Sequence, residues 1–150
     1  MKKILALTIL ISSSCTFAAS NEGIEQGIRS YSLLHGVNTA EANKALFLEA
    51  NRDSALDAIE EEFKGRIAGI YIENLPTYKI VVRVKGYGQN EKRNIVVGNA
   101  ISKGDLPIDI QYGAKESREE AISQINKALK LVKNYFYTIQ TVSYNEKMGI

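Results

Sequence analysis

The sequence predicts an α+β fold: a two-layer sandwich in which an antiparallel sheet carries helices packed on one face. Three patterns carry that expectation. Residues 67–73 and 78–85 are runs of β-branched and aromatic residues separated by Asn74-Leu75-Pro76-Thr77, the composition of a β-hairpin and its turn. In the second run Tyr78, Ile80, Val82 and Val84 alternate with Lys79, Arg83 and Lys85, the period of two of a half-buried strand. Farther on, Ile122, Ile125, Leu129, Val132 and Phe136 recur at spacings of three and four, the period of an amphipathic helix.

The remaining elements follow in chain order. Residues 21–34 place Ile24, Ile28, Tyr31 and Leu34 near helical spacing, but Gly23 and Gly27 weaken it, so a short frayed helix or an ordered arm is expected up to Gly36. Asn38 with Glu41 three residues on is a capping box. Behind it Ala45, Leu48, Ala55, Leu56, Ile59 and Phe63 form one stripe, which predicts a single long helix over 39–63, with a break into two at Asn51-Arg52-Asp53-Ser54 as the alternative. After the hairpin, glycines and polar residues predict a loop over 87–94, a short edge strand at 95–97, an irregular stretch over 98–106 and a strand over 107–112. Ser117 with Glu120 is a second capping box and opens the last helix. Residues 137–144 read as a last strand and 145–149 as a turn whose return strand is missing, which leaves an unpaired edge that invites self-association.

The first residues are not expected to join the fold. Lys2 and Lys3 precede an apolar run over 4–11 and then small residues, the pattern of a signal peptide over 1–18. The run is shorter than the roughly 20 residues a membrane-spanning helix needs. Export to the periplasm or the outside follows, with an arm over 19–38 and one α+β module over 39–150. Cys15 is the only cysteine; it lacks the leucine three residues earlier that marks a lipid-modified cysteine, so plain cleavage is expected over a lipid anchor. The mature chain then carries no disulfide and depends on its core. Removing Lys2 and Lys3 takes the formal charge from +2 to about zero, with both signs interspersed, which speaks against nucleic acid as a partner.

The central segment also carries a likeness. Phe63, Arg66-x-Ala68-Gly69-Ile70-Tyr71-Ile72-Glu73, Pro76 and Tyr78-x-Ile80-Val81-Val82-x-Val84-x-Gly86 resemble the repeated unit in the pro-regions of α-lytic-protease-type serine proteases. Leu106-Pro107-Ile108-x-Ile110-x-Tyr112-Gly113-Ala114, followed by a helix opening at Ser117, extends the likeness over roughly residues 55–147. The resemblance implies the pro-domain-like fold and a protein partner such as a protease.

Chemistry is sparse. His35 is the only histidine and reads as an exposed loop residue, which leaves no basis for a Ser-His-Asp triad or a zinc site. Glu60, Glu61 and Glu62 are consecutive on a helix and do not converge, so they read as a solvated face. Asp105 and Asp109 read as structural, and Tyr87 as a packing residue. Glycines 86, 88 and 98 lack the strand–loop–helix order of a phosphate-binding loop. No catalytic residue, metal or cofactor is expected. The surface singled out is the outer face of the sheet. With Ile70, Ile72, Ile80, Val82, Val84, Ile108 and Ile110 toward the helices, Tyr71, Val81, Arg83, Lys85 and Gln111 face away, and Tyr and Arg are common interface anchors. The expected function is an exported, non-catalytic protein-binding module. A structural or stress-related envelope protein, or a truncated remnant without a partner, stands as the alternative.

Overall fold

Two hairpins lie side by side and are joined along their inner strands. The computed structural model describes residues 21–133, in the order α1 (Asn21–His35), α2 (Thr39–Ala50), α3 (Asp53–Glu62), β1 (Ile67–Glu73), β2 (Lys79–Lys85), β3 (Glu91–Gly98), β4 (Lys103–Ala114) and α4 (Arg118–Lys133). The sheet order is β1-β2-β4-β3. Each hairpin is antiparallel, while β2 and β4 pair in parallel, with Ile80 beside Ile108 and Val82 beside Ile110. The sheet is therefore mixed, where alternation alone predicted an antiparallel one. The expected signal peptide over 1–18, the end of the last helix with Phe136, the strand over 137–144 and the turn over 145–149 lie outside the described residues.

The core sits between the sheet and α2–α3. Ile80, Val82, Val84, Leu106, Ile108 and Ile110 are all at most 2 % exposed and meet Ala45, Leu48, Ala55, Ile59 and Phe63 from the helices. Burying each of the larger aliphatics contributes about 1.5–3 kcal/mol. Ile70 is only partly buried and Ile72 more exposed, toward the far end of β1. Gly104 lets α2 come close: a Cβ there would stand 2.9 Å from the Phe47 ring and 3.1 Å from Leu48. Helix α1 packs on α2, and α4 meets β1; no α4 residue joins the core described above.

Three expectations change. The helix expected over 39–63 breaks into α2 and α3 because the Asn51 side chain donates to the Phe47 carbonyl at 2.8 Å, the local competition with helical bonding that asparagine offers. The loop expected over 87–94 ends early: β3 begins at Glu91, held by register against β4 rather than by apolar residues of its own. The irregular stretch over 98–106 is a tight turn and the start of β4. Asn99 Oδ1 accepts from the amides of Ile101 and Ser102, both at 2.9 Å, and the Asn99 amide donates to the Ser102 carbonyl at 2.8 Å. Both capping boxes form as the spacing predicts, at Asn38–Glu41 and at Ser117–Glu120.

Candidate functional site

The strand register brings four of the five singled-out residues together. Tyr71 lies opposite Val81, and Arg83 beside Gln111, on the face turned away from α2 and α3. This face is not the wet surface the sequence suggested. Val81 is 0 % exposed, and Tyr71, Arg83 and Gln111 are half-buried. Burial holds the Tyr71 phenol above its ordinary pKa, and nearby Glu73 adds to the rise while Arg83 offsets part of it. Lys85 stands apart at the strand's end, past a bulge, where its ammonium contacts both Glu120 oxygens at 2.5 and 2.6 Å. Those contacts, with the Ser117 amide, hold the Glu120 carboxyl below its usual range.

Between these residues lies a charge cluster that sequence reasoning missed. Lys79 Nζ is 3.0 Å from Glu73 Oε2 and 3.4 Å from Asp109 Oδ2, and Gln111 donates to the same Asp109 oxygen at 3.3 Å. Glu73 is the cross-strand partner of Lys79, and Val81 pairs with Asp109, so strand register alone assembles the group. Its signal in the sequence is the placement of opposite charges at Glu73, Lys79 and Asp109 on one face of three strands. The Lys79 pKa is raised, first by its bond to Glu73. One ammonium is thus shared by two carboxylates, which ties β1, β2 and β4 together on this face. Among the described residues no three or more His, Cys, Asp or Glu side chains converge as a metal site.

Other residues weighed for chemistry occupy structural posts. His35 is the last residue of α1, half-buried, with its ring 4.3 Å from that of Tyr31, rather than exposed in a loop. Glu60, Glu61 and Glu62 are all exposed, as expected; Glu61 accepts from Lys64, and Glu62 accepts from Arg93 across on β3. That pairing explains how a cation sits on the helix-facing side of a strand. Tyr87, expected to pack, is fully exposed at the loop tip.

Two surfaces have geometry suited to binding. The first is the outer edge of β3. Among the described residues no strand lies beyond it. The Asn99–Ser102 bond fixes the alternation of paired and unpaired positions along β3 and β4. Counting back, Val97, Ile95, Arg93 and Glu91 spend their backbone groups on β4, and Lys92, Asn94 and Val96 point theirs outward. Pro107, which has no N–H, lies opposite Asn94, a position whose N–H would not face β3. Val96 is 62 % exposed, and Ile101, at the turn, 97 %. A hollow of about 450 Å³ lies over β4, between β3 and the β1–β2 turn, lined in part by Lys79, Lys92, Asn94, Pro107 and Asp109.

The second is a cleft of about 290 Å³ between α1–α2 and the β1–β2 turn. Val37, Leu48, Pro76, Pro107 and the rings of Tyr31 and Tyr78 contribute to its walls. The Tyr31 hydroxyl donates to Asn74 Oδ1 at 2.9 Å, tying α1 to the turn. Arg52 donates to the Tyr78 hydroxyl at 3.0 Å and stands 3.5 Å from Glu49. Burial raises the pKa of both phenols, which keeps them protonated donors across the physiological range. The spacing of Tyr31 and Tyr78 gave no hint that they meet; the helix-to-turn contact is tertiary. No family model, no curated protein and no solved structure matches this chain.

Proposed function

We propose that the chain is an exported, non-catalytic module that binds another protein by taking an extended segment of it onto the outer edge of β3. The observation that carries this reading is the row of outward backbone donors and acceptors at Lys92, Asn94 and Val96 on a strand eight residues long. Such a row pairs with any chain presented in extended form, and main-chain bonds supply affinity while neighbouring hollows supply selectivity. The mutual pairing of Glu73, Lys79 and Asp109 supports binding over catalysis, because these side chains are spent on one another. The likeness to protease pro-regions makes a protease one such partner to test. Export rests on the pattern over residues 1–18.

Val96→Pro tests the reading. Proline there removes an outward donor and no bond within the sheet, so circular dichroism and the unfolding midpoint stay as in the parent. Capture of a partner from a cell-envelope extract should fall at least tenfold, and the partner should protect the amides of Lys92, Asn94 and Val96 from hydrogen exchange. Undiminished capture by a folded Val96→Pro protein would remove the edge from consideration.

A further inference from the structure

We propose that the cleft between α1–α2 and the β1–β2 turn is a binding site for a small apolar carboxylate, with Lys44 as the group that receives the anion. The argument starts from which polar capacity in the cleft is already spent. Two of the acceptors are in use: Asn74 Oδ1 takes the Tyr31 proton, and Glu41 Oε2 takes the Asn38 amide at 3.1 Å within the capping box. The donors are not. Lys44 lies on the lining, and among the described residues it makes no ion pair. The Tyr78 hydroxyl accepts from Arg52, which leaves its own proton to give away. The Thr77 hydroxyl completes the set. Glu41, the one anion on the lining, caps the first turn of α2, where the helix dipole offsets its charge.

A ligand that matches this wall supplies acceptors and a negative charge to Lys44, and an apolar body to the prolines, Val37 and Leu48. Volume sets its size. At about 290 Å³ the cleft is at the lower limit of ligand pockets, which run roughly 300–1,000 Å³, so the occupant is a one-ring or short-chain acid. The site is separate from the β3 edge, and the inference does not depend on the protein-binding reading.

The test uses benzoate, phenylacetate and hexanoate as probes of the purified protein, each beside its neutral primary amide, followed by calorimetric titration and by amide chemical shifts. At least one carboxylate should bind saturably and shift Thr77 and Tyr78. Its amide should bind about tenfold more weakly or worse, the loss expected for a charge-assisted bond. Lys44→Ala, at an exposed position, should weaken the carboxylate by about the same factor, whereas Lys64→Ala, remote on the other side of α3, should leave it unchanged. Saturable binding by none of the three acids overturns the proposal. So does equal binding of acid and amide, or equal behaviour of the two lysine variants.

Discussion

Gly98 and Gly113 have almost the same backbone conformation, φ +108° and +106°, and very different surroundings. Replacing each by alanine therefore separates a conformational cost from a steric one. Holding a residue with a Cβ in such a region costs about 1–3 kcal/mol at either site. At Gly113 nothing lies within 4 Å of the added atom, so that cost is the whole effect. At Gly98 the new Cβ would stand 2.2 Å from the Ser102 carbonyl oxygen and 3.0 Å from Phe47 Cζ. The Ser102 oxygen cannot retreat without losing the Asn99 amide, a bond worth about 1 kcal/mol net. Phe47 is packed against the core, and forcing it off its rotamer costs about 0.5–1.5 kcal/mol more. Gly98→Ala should thus destabilise by about 2 kcal/mol more than Gly113→Ala. Urea unfolding followed by circular dichroism reads this directly. With a slope of about 2 kcal/mol/M the two midpoints should differ by about 1 M. Equal midpoints at unchanged slope would refute the tight turn that sets the β3–β4 register, and with it the assignment of outward groups on β3.

Two further outcomes concern charge. Glu120→Gln keeps a side chain able to cap Ser117 but loses the charge that Lys85 holds. Because the folded-state pKa of Glu120 is lowered, its contribution is present above the ordinary carboxylate range and lost as pH falls through the folded value. Thermal unfolding should show the parent more stable at neutral pH and the gap closing in acid; a gap constant down to pH ~2 would assign the effect to something other than ionisation. Lys79→Met takes the ammonium from the nearly buried Asp109, which among the described residues keeps the bond from Gln111, a loss of about 1–3 kcal/mol in urea unfolding. The raised Lys79 pKa means this contribution is complete below the usual lysine range and fades only in strong alkali. Adding Asp109→Asn should recover part of the loss, and failure to do so would show the stranded carboxylate is not its cause.

Much of the fold was legible because local pattern and tertiary structure agree. Tyr78, Ile80, Val82 and Val84 do face the helices, and both capping boxes do open helices. The departures in the sheet share one physical origin: β4. Its parallel pairing with β2 makes β2 an interior strand covered on both faces at its centre, and such strands show unbroken apolar runs. Ile80-Val81-Val82 is such a run, and Val81 at 0 % exposure shows what it meant. Read as alternation with one exception, it sent Val81 to the solvent side. The same strand pulls Glu91, Lys92 and Arg93 into a sheet their propensities disfavour, since a cross-strand register can override local preference.

The candidate sites were harder to see for a different reason. A binding edge is defined by which backbone groups are left over, and that depends on what pairs with what, not on side chains. Residues 92–96 read as polar and then apolar whether β3 is central or at the edge; only the sheet order puts it outside. The cleft likewise depends on α1 reaching Asn74 across 43 residues of chain, through one hydroxyl. Removing that hydroxyl, as in Tyr31→Phe, leaves the aromatic wall and the Lys44 charge in place but unties α1 from the turn. If the cleft owes its shape to that tie, carboxylate binding falls in Tyr31→Phe while stability falls by no more than one partly buried hydrogen bond is worth, about 0.5–1.5 kcal/mol. Unchanged carboxylate binding would mean that α2 and the β1–β2 turn shape the site by themselves.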